Sequence, residues 1–442
     1  MRFTLLIALI LLQNLAVLEI SGAEGDSIEF VDEKYPDFGH LLPPGEYDGR
    51  IFTLSQRYPM KEPMANKLPE FLNIDYADQW RAYLDEAQEY CFRENILGGD
   101  VEDDFDPVKE ENPKWFHMPW QHYGPKGREG IHGLTKEAGV KPHQLAIGQT
   151  YEVGQMYAVG LYNEFGAYTI GRVWRDKHRP NKDVATFPNG TVVFKLLFTD
   201  VPTEQVPSLV NPLLWDAYVL EEHRATTRSV KKLALIQMDV MVRDDRAPYN
   251  WVFGTYLYNG KLNRDNKWQN LVPIGIQWGN DPDVNDGEGT EGEYTNPFPC
   301  ATKINPNLKE TRINSDANEL PPTHLGWNGR LNGPADNYLS SCMSCHMTAQ
   351  SPEISPSSPL FLSDKSAIPA VGSYGWMRWF ANLPSEKAFD RNAVSVDFSL
   401  QMSMSLQNYY KWSDSGNKYR ADQYRAAQKK HARPQVEYQP QR

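Results

Sequence analysis

Residues 188–199 read "PNGTVVFKLLFT". Pro-Asn-Gly is turn chemistry, and the residues after it form a run rich in β-branched and aromatic side chains. The same alternation of turn and run continues on both sides. "QMYAVGLYN" (155–163) and "AYTIGRVW" (167–174) come before it, joined by Glu164-Phe165-Gly166, which reads as a hairpin. "KLALIQMDVMV" (232–242), "WVFGTYLYN" (251–259) and "LVPIGIQW" (271–278) come after it. Six such strands predict an antiparallel β-rich core across 148–320, a sandwich or a partly open barrel.

Outward from this core the character changes. Residues 24–147 begin as a Pro-rich extended arm, and Asp75 is placed to cap a helix running to about Asn95. Beyond residue 320 the strand signal fades. Residues 350–370 are rich in Ser and Pro, and "VDFSLQMSMSLQNYYKW" (396–412) reads as a helix. The polar, basic stretch 415–442 reads as a tail. The fold class expected is therefore α+β, with a β-rich core followed by a mainly helical and irregular segment over 321–414.

The N-terminus predicts the compartment. Arg2 precedes a mostly apolar run from Phe3 to Leu18, and Ser21-Gly22-Ala23 follows. This is the pattern of a secretory signal over residues 1–23, which implies a periplasmic or otherwise extracytoplasmic protein. No later segment approaches the length of a membrane span. The net charge of −12 argues against a nucleic-acid partner and favours attraction to a basic one. Cys91 and Cys300 are an even pair in an oxidising compartment, so they are read as either a disulfide or, for Cys91, a small buried side chain on a helix face.

The other two cysteines carry the chemistry. Residues 342–346 read Cys-Met-Ser-Cys-His. With four cysteines and ten histidines in 442 residues, a shuffled chain contains C-x-x-C-H about once in a thousand trials. Three chemistries use such a cluster. A structural zinc site needs a second pair of ligands. A redox dithiol wants a βαβ context. Covalent haem attachment needs two thiols one helical turn apart and a histidine next to the second, which is this spacing. The export signal favours the third.

On Cys342, Cys345 and His346 the segment resembles the c-type cytochromes. The resemblance implies one covalently bound haem c per chain, His346 as proximal iron ligand, electron transfer as the activity and a redox protein as partner. It also implies a short helix before the motif, in "NGPADNYLSS" (332–341), and a later methionine as sixth ligand, with Met402 or Met404 at a suitable remove and Met377 nearer. The 300 residues before the motif lie outside this likeness. Two other functions therefore stay open: a haem enzyme or gas-binding protein of peroxidase-like character with an open sixth position, and a β-rich binding module tethered to a redox pathway.

Two more stretches are unusual. "KWFHMPWQHYGPKGREGIHG" (114–133) packs His117, His122, His132 and Arg128 into a Gly- and Pro-rich loop. An imidazole and a guanidinium could serve a haem pocket as acid–base and electrostatic groups, or simply make local hydrogen bonds. "GNDPDVNDGEGTEGEY" (279–294) alternates Asp281, Asp283 and Asn285 as calcium loops do. It places Asp286 where the turn glycine belongs, so a solvated acidic loop is the expectation.

Overall fold

The structure is a computed structural model, and it describes residues 42–43, 45–51, 55–93, 114–121, 128–221, 227–287 and 303–414. The predicted signal segment 1–23, the tail 415–442, His122 and Cys300 lie outside the described residues.

A helix, α1 (Trp80–Phe92), precedes the sheet strands β1 (Thr135–Gly139) and β2 (Gln155–Tyr162), and a second helix, α2 (Glu164–Val173), follows directly. Then come β3 (Val192–Thr199), β4 (Leu214–Leu220), β5 (Arg228–Arg243), β6 (Trp251–Tyr258), β7 (Leu271–Gln277) and β8 (Thr311–Ile313). These eight strands form one antiparallel sheet in the order β1-β2-β3-β5-β6-β7-β8, with β4 paired to β5. The sheet is open, with no pairing of β8 back to β1. The expectation of a sandwich or partly open barrel thus resolves as a single open sheet within a mixed α and β protein. The C-terminal part carries α3 (Cys342–His346), β9 (Gln350–Ser351), α4 (Tyr374–Met377), β10 (Val394–Ser395) and α5 (Leu400–Asp414), and β9 pairs with β10.

Side chains alternate across the sheet, so residues in register share a face. Leu84, Ala87 and Cys91 of α1 join Phe194, Leu196, Met238, Val240 and Tyr256 in the core on one side. On the other, Tyr162, Val193, Met241 and Phe253 stand side by side. They pack with Met343, Met347, Phe398, Met402 and Leu406 of the C-terminal part. Both faces are covered, which explains why β2 and β6 are buried along their whole length and read as unbroken apolar runs.

Several expectations require correction. "AYTIGRVW" is the body of α2, not a strand. The Asn163 side chain accepts a hydrogen bond from Gly166 N and caps the helix, and Phe165, Ile170 and Val173 line its buried side. Asp75 does not cap α1. It accepts from Ala77 N and Asp78 N in a separate turn, and the helix begins five residues later. Residues 332–341 hold turns rather than a helix. Asn332, Asp336 and Asn337 bond to backbone N–H groups one or two residues on, an alternative that competes with helical pairing. The helix read over 396–412 starts at Leu400, and Ser399 Oγ accepts from Met402 N at its start.

Candidate cofactor site

The motif is a single turn of helix pinned at its start. The amides of Cys342, Met343 and Ser344 would be orphans at a helix N-terminus. They donate to Leu331 O at 3.0 Å, Gln277 Oε1 at 3.0 Å and Ser341 Oγ at 3.3 Å. The Ser341 and Ser344 hydroxyls both donate to Asn280 Oδ1. At 3.6 residues per turn, Cys342, Cys345 and His346 share one face of α3. Met343 and Met347 take the other and are buried in the core beneath.

His346 is set in one tautomer. Its Nδ1 lies 2.8 Å from the carbonyl oxygen of Phe398, which only accepts, so Nδ1 carries the proton. Burial holds the ring pKa below the usual histidine range. The neutral imidazole therefore keeps a lone pair on Nε2, and no described residue hydrogen-bonds to it. The ring also leans on Phe253, with centroids 5.1 Å apart.

The thiols stand against the sheet. Cys342, Cys345 and His346 retain accessible surface, yet burial dominates the acidity of all three. The sheet presents one cross-strand row on this side, Gly160-Lys195-Asp239-Thr255. Thr255 Oγ1 is 3.8 Å from Cys342 Sγ and 3.0 Å from Asp239 Oδ1. Asn337 Nδ2 donates to Ser357 Oγ at 3.4 Å, and both side chains favour the thiolate of Cys345 against its burial. Gly160 admits the amide of Gln401, which occupies the place a Cβ would take, and Gln401 Oε1 is buried without a partner.

Electrostatics separates the chemistries open to these cysteines. A redox dithiol needs a stabilised thiolate. Here burial raises the Cys342 thiol well above its ordinary value, and burial with nearby Asp336 pushes Cys345 up to about 12. A zinc site needs further ligands, and among the described residues no group of three or more His, Cys, Asp and Glu side chains is placed to hold a metal ion. Cys342 and Cys345 thus stand as neutral thiols beside a neutral imidazole whose Nε2 lone pair is available to a metal ion.

The remaining candidates divide. Met402 is fully buried with Met343, Met347 and Phe398, whereas Met404 is 37% exposed on the outer side of α5. His117 is buried on the strand segment that bridges Phe116 to Tyr162, and its carbonyl accepts from Tyr58 at 2.6 Å. The following residues dock on α5, since Asn408 donates to Trp120 O and Gln121 O. The first half of the 114–133 loop therefore adjoins the motif segment. The second half turns elsewhere. His132 stacks on Trp215 at 4.5 Å and bonds the Asp216 carbonyl in β4 through Nδ1, while Arg128 is buried nearby in sequence.

Within the described part of the acidic loop, residues 279–287, two of the three aspartates are buried rather than solvated, and residues 288–294 lie outside the described residues. Asp281 accepts from Lys309 N, Glu310 N and Thr311 Oγ1, and Asp286 forms a buried ion pair with Arg330. Both carboxylates hold the chain together, while Asp283 stays exposed. The residues that sequence reasoning missed are Lys195, Asp239 and Asp336. Lys195 and Asp239 interrupt otherwise apolar strands, and that interruption is the signal that could have found them.

Comparison of the chain with protein-family models, curated protein sequences and solved structures finds no match among any of them.

Proposed function

We propose that this protein is an extracytoplasmic single-haem c-type cytochrome that transfers electrons. Cys342 and Cys345 would hold haem c through thioethers, and His346 would ligate its iron. The observation that carries this reading is the His346 tautomer on the same helix face as two enclosed thiols. Bound there, haem supplies a one-electron iron couple. The chain's own residues do the rest. Phe398 O orients the imidazole, the Met343–Met402 cluster shields it from water, and Ser341, Gln277 and Asn280 fix the helix that bears all three groups. Met402 packs with Met343 and Met347 beneath the motif helix and Met404 is exposed, so burial marks neither of them as the sixth ligand. The net charge of −12 suits a basic redox partner.

The polar groups beside the motif favour a second reading, a haem enzyme or gas-binding protein with an open sixth position, since Lys195 and Gln401 could meet a small ligand. An optical spectrum with and without carbon monoxide separates the two. A reduced spectrum indifferent to carbon monoxide supports electron transfer, and one that shifts supports the open site.

The haem itself is tested by denaturing electrophoresis with a haem-peroxidase stain. The expected result is a stained band that survives acidified organic solvent and disappears or weakens in Cys342→Ala and Cys345→Ala. Haem that extracts into the solvent, or no stained band, overturns the reading.

A further inference from the structure

Beside the motif sits a set of charges that the proposed function does not use. Lys195 on β3 projects from the same sheet face as Asp239 on β5, directly across the ladder. Glu137 of β1 approaches its ammonium to 3.8 Å. Asp336, in the turn before α3, acts on both Lys195 and Asp239. Three carboxylates thus act on one cation beside the motif helix. Asp239 is built in: Gln237 Nε2 donates to both its oxygens at 2.9 Å and Thr255 Oγ1 to one at 3.0 Å. Thr255 also touches the sulfur of Cys342.

We propose that Asp239, with Asp336 and Lys195, forms a proton site that couples proton uptake to reduction of the group bound at Cys342, Cys345 and His346. The inference rests on the haem reading above. The balance is simple. One electron arrives from the donor protein and lowers the positive charge of the iron centre by one. One proton from solvent bonds to the Asp239 carboxylate and restores it. Oxidation releases both. Carboxylates near the centre stabilise its oxidised, more positive form, so removal of that charge strengthens their hold on a proton.

The titration has the required range. Burial first and Asp336 second push Asp239 up to about 7, against the pull of Lys195. Burial opposes the charge of Lys195, but Asp336, Glu137 and Asp239 outweigh it and hold the ammonium above its ordinary value. Lys195 therefore remains charged, and Asp239 holds the exchangeable proton. The other titratable groups facing Asp239 are Cys342, Cys345 and His346 of α3, all kept neutral by burial. β2 and β6 present Gly160 and Thr255, and α5 presents Gln401, none of which titrates.

The experiment measures midpoint potential against pH on the haem-loaded protein, from pH 5 to 9. The expected result is a fall with rising pH whose slope approaches about 59 mV per unit, the value for one proton per electron. Asp239→Asn flattens the slope while the covalent haem band persists. Thr255→Val, which removes a hydrogen bond to the ionised carboxylate, moves the inflection to higher pH and serves where Asp239→Asn does not fold. A potential independent of pH in the wild type overturns the proposal, as does an unaltered profile in these variants. A haem band with a flat potential sinks this inference alone; absence of covalent haem sinks the function on which it rests.

Discussion

At the scale of single residues, the buried histidines report how the chain trades solvation for packing. His132 and His324 are both buried, and each has a pKa lowered to about 4, with burial as the main cause. The unfolded chain binds protons near 6.5 that the folded chain refuses, so stability is complete above 6.5 and falls as pH drops toward 4. A depression of that size corresponds to about 3 kcal/mol per histidine at most. His132→Gln should make the acid side of the stability curve shallower by up to that amount. Urea unfolding at pH 7, 5.5 and 4 measures it, and parallel curves for variant and wild type would count against the assignment. The motif was plain at this scale because Cys342, Cys345 and His346 are adjacent in sequence. Lys195 and Asp239 meet through strand register and Asp336 joins them from the turn before α3, so the polar interruption that each of the first two makes in an apolar strand does not by itself say that the three belong together.

At the scale of elements, five of the six expected strands are present, and the sixth shows why propensity misleads. Residues 167–174 hold Tyr, Thr, Ile, Val and Trp, all strand formers. A capping Asn163, an acidic Glu164 and a buried side formed by Phe165, Ile170 and Val173 override that preference. Strands β1, β4 and β8 went unread for other reasons. β1 is short and polar and β8 has three residues, so neither carries a full alternating pattern. The docking of α1 on the sheet depends on a matched pair, because a Cβ at Gly254 would collide with Leu84. Leu84→Ala should cost about 2–5 kcal/mol. Gly254→Ala should also destabilise, yet added to Leu84→Ala it refills vacated space, so the double variant should be more stable than Leu84→Ala alone. Denaturant midpoints of the three variants test this coupling, and simple additivity would refute it.

At the scale of the whole molecule, buried ion pairs join parts of the chain that sequence reading separated at residue 320. Arg243 at the end of β5 bonds Asp397 at 2.9 Å, and Asp397 also accepts from Phe187 N and Trp251 Nε1. Arg330 and Asp286 meet at 2.5 Å with both side chains fully buried. Asp286 accepts from Asn328 and Trp376 as well, and Arg330 lies over the Phe380 ring. Removal of one partner leaves an uncompensated buried charge. Asp286→Ala should therefore cost about 3–5 kcal/mol, more than Asp283→Ala at the exposed position three residues earlier, and chemical unfolding of the two variants makes the comparison.

The enclosure of the motif helix has a consequence in time. With burial holding the Cys345 thiol far above its ordinary value, thiolate is scarce at pH 7 in the folded chain. Chemistry at either cysteine is slow once the fold is complete. Under the proposed function, attachment belongs to the freshly delivered chain, before Met343 N settles on Gln277 and before Phe398 and α5 pack against His346. The strands that form the rear wall all precede the motif in sequence, so they are ready to collapse on it as soon as it arrives. Folding and ligation are then competitors in a race, and a chain that folds first locks its own door and stays permanently bare.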